Sequence, residues 1–166
     1  MKKYLNIFCL ILLTTLNVSE SVNILAIIPS PQFSHQISFR ALWTELSLRG
    51  HNVTLVTTDP IKNASLTNLK EIDMSYAYRY LEKLKIVEIA SSNTKSHIEI
   101  IKLIRKLSHK IHHHFFQSPE GQNLINNKDN KFDLLIVEAH LPMMMVFSWH
   151  YKIPFIGVSS LDCSLQ

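Results

Sequence analysis

Three groups of residues in this 166-residue chain have types and spacing suited to chemistry. The first is PSPQFSH (29–35), where the apolar run Ile24–Ile28 stops at a proline and His35 stands at the start of a helical pattern. Imidazole titrates near neutrality, and its neutral form can take a proton from a hydroxyl. From the residues alone, His35 is either a general base or an ordinary exposed residue of a first helical turn. With no partner beside it in the chain, the second reading leads. The second group is Glu138–Pro142, EAHLP, behind another apolar run. The third is His109, His112, His113 and His114, whose i, i+3 and i, i+4 pairs are spaced for metal. No cysteine or carboxylate at a suitable interval completes that set, so it reads as a solvated or partly pocket-facing helix surface and not as a metal site. Met143–Met145 read as core filler, or as soft walls for apolar ligands should they line a pocket.

The elements that must position these groups alternate in type. Val22–Ile28 is short and almost continuously apolar, as a strand covered on both faces would be. Ser34 is expected to cap a helix over His35–Arg49, with Ile37, Ala41 and Leu46 on its buried face, Phe39 paired with Trp43, and Gly50 beyond its end. Asn52–Thr58 is β-branched and alternating, closed by Asp59-Pro60. Strand, helix, strand in this space is a βαβ unit with parallel strands. Further strands are expected at Lys85–Ala90, Phe132–Glu138 and Ile153–Ser159, with helices through Ile98–Phe115 and Leu141–Tyr151 between them; 62–84 reads as loop and short helix. The whole is an α/β fold, a Rossmann-like parallel sheet. Ligands of such sheets bind beyond the carboxyl ends of the strands, which is where His35 and Glu138–Pro142 fall.

Composition narrows the chemistry. Hydrophobic residues make up 46% and charged residues 18% of the chain, enough apolar material for a core. A formal net charge of +4, with no basic cluster interleaved with aromatics, gives no support to nucleic-acid binding. Only three glycines occur, Gly50, Gly121 and Gly157, far apart. A dinucleotide fingerprint or P-loop needs clustered glycines for close backbone approach to phosphate, so neither is built here. Met1–Ser21 reads as a cleaved secretory signal, with Lys2 and Lys3, the apolar Ile7–Leu13, and small residues at Ser19 and Ser21. Cys9 lies in that signal, and Cys163 would then have no internal disulfide partner. Asn63-Ala-Ser65 is a glycosylation sequon behind a turn, whereas the sequon at Asn52 abuts a strand.

Against this background PSPQFSHQISFRALWTELSLRGHNVTLVTTDP, FDLLIVEAH and HYKIPFIGVSS together resemble the N-terminal domain of UDP-glycosyltransferases, especially the insect branch. The resemblance implies residues 22–166 as an acceptor-binding, Rossmann-like domain, the N-terminal half of a GT-B fold. It implies that a sugar, with glucose ahead of glucuronic acid, passes from a UDP-sugar to hydroxyls of small lipophilic acceptors, in a detoxifying role. His35 would be the general base and Glu138 its carboxylate partner. Glu138 stands where some members carry Asp; others place the acid later, at positions held here by Pro142 and Met143. Phe33, Ser34, His140 and Met143 would line the acceptor pocket. The resemblance further implies an endoplasmic-reticulum lumenal enzyme whose UDP-sugar site and C-terminal membrane helix lie in parts beyond this sequence. The fragment is then expected to bind no cofactor itself and to be inactive alone. The competing expectation is a non-catalytic secreted module for apolar ligands, or a degenerate truncated product.

Overall fold

A computed structural model describes residues 20–85, 88–89, 92 and 96–160. Most of the expected signal segment, with Cys9, and the end of the chain, with Cys163, lie outside the described residues. Among the described residues, five strands, β1 (Asn23–Ile28), β2 (Asn52–Thr57), β3 (Leu69–Asp73), β4 (Leu134–Glu138) and β5 (Phe155–Val158), form one sheet in the order β3-β2-β1-β4-β5. Every neighbouring pair is parallel. The helices are α1 (Phe33–Leu48), α2 (Ala77–Leu84), α3 (His97–Gln117), α4 (Pro119–Asn126) and α5 (Val146–Tyr151), the last preceded by a 3₁₀ turn, Pro142–Met145. This is the Rossmann-like α/β sheet expected.

The central strands are apolar throughout because both of their faces are covered. Alternate side chains of β1 point to opposite faces. Ile24, Ala26 and Ile28 meet Trp43 of α1, together with Val53 and Leu55 of β2. Leu25 and Ile27 join Val56, Leu135 and Val137 under α3, whose Leu107, Ile111 and Phe115 close the second core with Phe147 of α5. Each face thus excludes water from a continuous apolar layer, the main source of the sheet's stability.

Several elements differ from their sequence reading. Helix α1 starts at Phe33, not His35: Gln32 is extended, its carbonyl accepts from the His35 and Gln36 amides, and no side chain caps the end. Ser34 is therefore an exposed residue inside the first turn and not the cap. The buried stripe of α1 also runs elsewhere. Ile37 and Ala41 face outward, while Gln36, Trp43 and Ser47 are buried. The far end matches expectation. The His51 amide reaches the Leu46 carbonyl and the Gly50 amide reaches Ser47, with Gly50 at φ +89°, a conformation L-residues resist.

No strand forms at Lys85–Ala90 among the described residues. Lys85 ends α2 with positive φ, and the Ile89 amide bonds the Lys85 carbonyl as in a helical turn. The third strand is instead LKEID at 69–73, within the stretch read as loop. It is an edge strand whose only buried residue is Ile72, so its charges broke the apolar pattern. Helix α3 starts where a capping box, Ser96 with Glu99, satisfies both exposed amides. Helix α4 has no counterpart in the sequence reading; Ser118 caps it, with Pro119 at its first position. The helix expected over Leu141–Tyr151 divides into the 3₁₀ turn and α5, and the strand expected at Ile153–Ser159 shortens to β5.

Candidate active site

The strand order reverses between β1 and β4, and the crevice at the carboxyl ends of such a pair is where open α/β sheets bind ligands. Register puts Ile27 beside Val137, so the loop after β1 and the last residue of β4, Glu138, lie side by side. Helix α1 begins from that loop, which carries His35 back over the crevice. Residues 103 positions apart meet there: His35 Nδ1 lies 2.6 Å from Glu138 Oε1.

Glu138 is fully buried and His35 is 8% exposed. The second carboxylate oxygen of Glu138 accepts a hydrogen bond from Ser30 Oγ at 2.6 Å. Both oxygens are thus engaged, as a buried carboxylate requires. A carboxylate only accepts, so Nδ1 of His35 donates, and in the neutral ring the lone pair falls on Nε2. A base held in one tautomer by a buried acid is the arrangement that a proton acceptor needs.

Gln36, next to the histidine, holds this geometry. Its Nε2 donates to the carbonyls of Ile28 (2.9 Å) and Ser30 (2.8 Å), and its Oε1 accepts from Thr57 Oγ1 at 2.7 Å. Thr58 Oγ1 donates to the same Ser30 carbonyl at 2.8 Å. The loop after β1 is therefore tied to the end of β2, and the first turn of α1 cannot slide along the sheet without breaking buried bonds.

His35 opens onto a cavity of about 250 Å³, walled mainly by the apolar side chains of Leu81, Ile104, Leu107 and Ile111 with Pro29 and Pro31 of the loop. Most pockets for small molecules are roughly 300–1,000 Å³, so this one suits a compact apolar ligand. His140 and His112 also line it. His112 is 2% exposed, and burial, reinforced by nearby His109, depresses its pKa to about 4.

The structure separates the remaining candidates. Phe33 is 55% exposed, and neither it nor the exposed Ser34 is among the cavity's walls. Met143, 46% exposed, borders a different hollow with Phe116, Val146 and His150, while Met144 is core. His109, His113 and His114 face a shallow basin beyond α3, beside Tyr80 and Ser118. Among the described residues, no three His, Cys, Asp or Glu side chains gather closely enough to hold a metal ion. Asn63 is exposed at a turn; Asn52, also exposed, opens β2 and donates to Asn23.

Sequence reading missed Ser30 and Gln36 as parts of this site, and it read the four histidines of α3 as a solvated or partly pocket-facing surface without singling out His112. Ser30 and Gln36 gave no signal, because their roles depend on contacts with Glu138 and Thr57, far away in the chain. His112 did leave one: positions 104, 107, 108, 111 and 112 follow the i, i+3, i+4, i+7, i+8 spacing of a single helix face.

Comparison with known proteins agrees with the resemblance read from the sequence, although no family profile matches the chain. It is 33% identical to an ecdysteroid UDP-glucosyltransferase of Lacanobia oleracea granulosis virus, over 92% of this chain and 34% of that protein. It is 30% identical to the UDP-glycosyltransferase UGT4 of Dactylopius coccus, over 87% of this chain and 28% of the other. The chain thus spans about a third of the length of the curated relatives it matches. Among solved structures, TcCGT1 in complex with UDP superposes with a TM-score of 0.53 at 17% identity, over 86% of this chain and 29% of that one, a likeness of fold.

Proposed function

We propose that this chain is the acceptor-binding, Rossmann-like part of a UDP-glycosyltransferase, in which His35 is the general base for transfer of a sugar to a hydroxyl. The observation that carries the reading is the buried pair of His35 and Glu138 at the sheet's switch point, opening onto an apolar cavity. An acceptor hydroxyl in that cavity gives its proton to Nε2 of His35 as its oxygen bonds the anomeric carbon of the UDP-sugar. The bond from that carbon to UDP breaks, and UDP leaves with the electron pair. Glu138 keeps Nδ1 protonated and stabilises the imidazolium that forms, while Ser30 holds the other oxygen of Glu138. General-base catalysis of this kind contributes on the order of 10²–10⁴-fold.

The names of the relatives, ecdysteroid UDP-glucosyltransferases among them, favour glucose as the sugar and a lipophilic alcohol or phenol as the acceptor. The apolar cavity walls favour the same acceptor class. The relatives are about three times longer than this chain, which leaves room in a full-length enzyme of that kind for a separate UDP-sugar site. Lys2 and Lys3 followed by Ile7–Leu13 favour delivery to the secretory pathway, with the enzyme working in the endoplasmic-reticulum lumen.

The test uses the full-length protein with UDP-glucose and a phenolic acceptor. His35→Ala is expected to abolish turnover, while acceptor affinity, read by titration without the sugar donor, stays within about threefold. Turnover retained by that variant would remove His35 from the mechanism.

A further inference from the structure

Besides His35, the cavity is lined by His112 and His140, neither with a role in the reaction, and of these His112 is the buried one. His112 stands on α3, across from the loop after β1, and lines the same space. Both of its ring nitrogens are buried, and neither has a hydrogen-bond partner among the described residues. Its neighbours along α3 in the cavity wall are Ile104, Leu107 and Ile111, with Ser108 one turn before it. A neutral imidazole offers one donor and one acceptor, and leaving such a group buried and unpaired forfeits the hydrogen bonds it makes in water. Packing alone gives no reason to keep it, because a phenylalanine would fill an apolar wall without that cost. The burial that depresses its pKa to about 4 also keeps the ring uncharged at neutral pH, so it can pair with an uncharged polar group.

We infer that His112 is a specificity-determining residue that hydrogen-bonds a second polar group of the acceptor, a ketone or hydroxyl, while His35 receives the reacting hydroxyl. The preferred acceptors are then lipophilic skeletons carrying two oxygen functions, not simple alkyl alcohols or phenols. The discrimination arises from the cavity's own unpaired group. An acceptor lacking the second oxygen leaves the imidazole buried without a partner, whereas one that has it gains the bond and removes the penalty. This inference rests on the reading of the cavity as an acceptor site.

The test compares acceptors of nearly equal size, 4-propylphenol against 4-hydroxypropiophenone and its 3-hydroxy isomer, which add one carbonyl. Dissociation constants without donor, and kcat and KM with UDP-glucose, are measured on the full-length protein, its His112→Phe variant and its His112→Asn variant. The wild type should favour at least one ketone over the alkylphenol about tenfold. His112→Phe should erase that ratio through dissociation constant and KM, not kcat, and His112→Asn should restore part of it. A wild type without the preference, or a His112→Phe variant that keeps it, overturns the inference. If His112→Phe does not fold, the His112→Asn ratio and the wild-type preference decide alone. Loss of the binding preference in His112→Phe supports the role of His112 even if no sugar is transferred by any form; that second result would sink the glycosyltransferase reading by itself.

Discussion

Acidification from pH 7.5 to pH 4 perturbs His112 in a way that can be followed without any substrate. The ring is 2% exposed, and its pKa falls from the ordinary 6.5 to about 4 because burial disfavours the cation, with His109 adding like charge. In the unfolded chain the same ring protonates near 6.5. Between those two values the unfolded state binds the extra proton, so stability decreases as the pH falls. It is fully present above pH 6.5 and lost progressively down to the folded pKa. At roughly 1.4 kcal/mol per tenfold change in proton affinity, the loss amounts to about 2 kcal/mol by pH 5 and about 3 kcal/mol by pH 4. Other ionisable groups also contribute to the pH dependence of the wild type. The measurement is therefore the difference between wild type and His112→Phe, in which everything else titrates alike. Urea unfolding followed by tryptophan fluorescence, with buried Trp43 as reporter, gives both curves at each pH. For denaturant slopes of about 1–3 kcal/mol per M, the gap between the two midpoints should move by about 1 M or more across the range. Curves that stay parallel within about 0.5 kcal/mol would show that the ring is charged or hydrated in the folded protein. The argument from burial would then fail.

The other expectations concern the catalytic pair and the packing that supports it. Glu138→Gln replaces the charged acceptor beside Nδ1 of His35 with a neutral amide, which no longer stabilises the imidazolium and can turn its NH2 toward the ring; kcat should fall on the order of 10²–10⁴-fold with circular dichroism unchanged. A variant keeping more than a tenth of wild-type kcat would refute the orienting role of Glu138. Gly121→Ala should cost about 2 kcal/mol or more of stability, because a Cβ there collides with the backbone carbonyl of Phe115 at the corner between α3 and α4; a thermal-unfolding midpoint unchanged from wild type would contradict this. Trp43→Ala should cost about 3–5 kcal/mol by emptying the core between α1 and the sheet, measurable by urea unfolding followed by circular dichroism.

Where sequence reading succeeded, the determinant was local. The apolar β1 and β4, the glycine that ends α1 and the later half of the α3 stripe, Leu107, Ile111 and Phe115, each record their surroundings in consecutive residues or in one helical period, while Ile98, Ile101 and Ile104 of the same stripe stay exposed. The covering of β1 on both faces removes its polar positions, which leaves a legible pattern. Where the reading failed, the determinant was partner elements. Strand β3 exists because β2 offers it an edge, and its sequence, LKEID, carries little apolar signal of its own. Isoleucines and a valine near 85–90 promised a strand more strongly; Ile86 and Val87 lie outside the described residues, and the Ile89 amide bonds the Lys85 carbonyl as in a helical turn.

The candidate site divides in the same way. The sequence by itself determined a histidine at the start of a helix after the first strand, a glutamate at the end of a later strand, and a phosphate loop ruled out by the scarcity of glycine. Tertiary structure decided that His35 and Glu138 touch, that Ser30 and Gln36 hold them, and that Phe33 and Met143 stand away from the cavity. It also decided that one of four neighbouring histidines is sealed inside the cavity wall while the others face outward. Local sequence encodes which face of an element is apolar. Which polar group meets which across that face depends on strand order and register, which only the assembled sheet supplies.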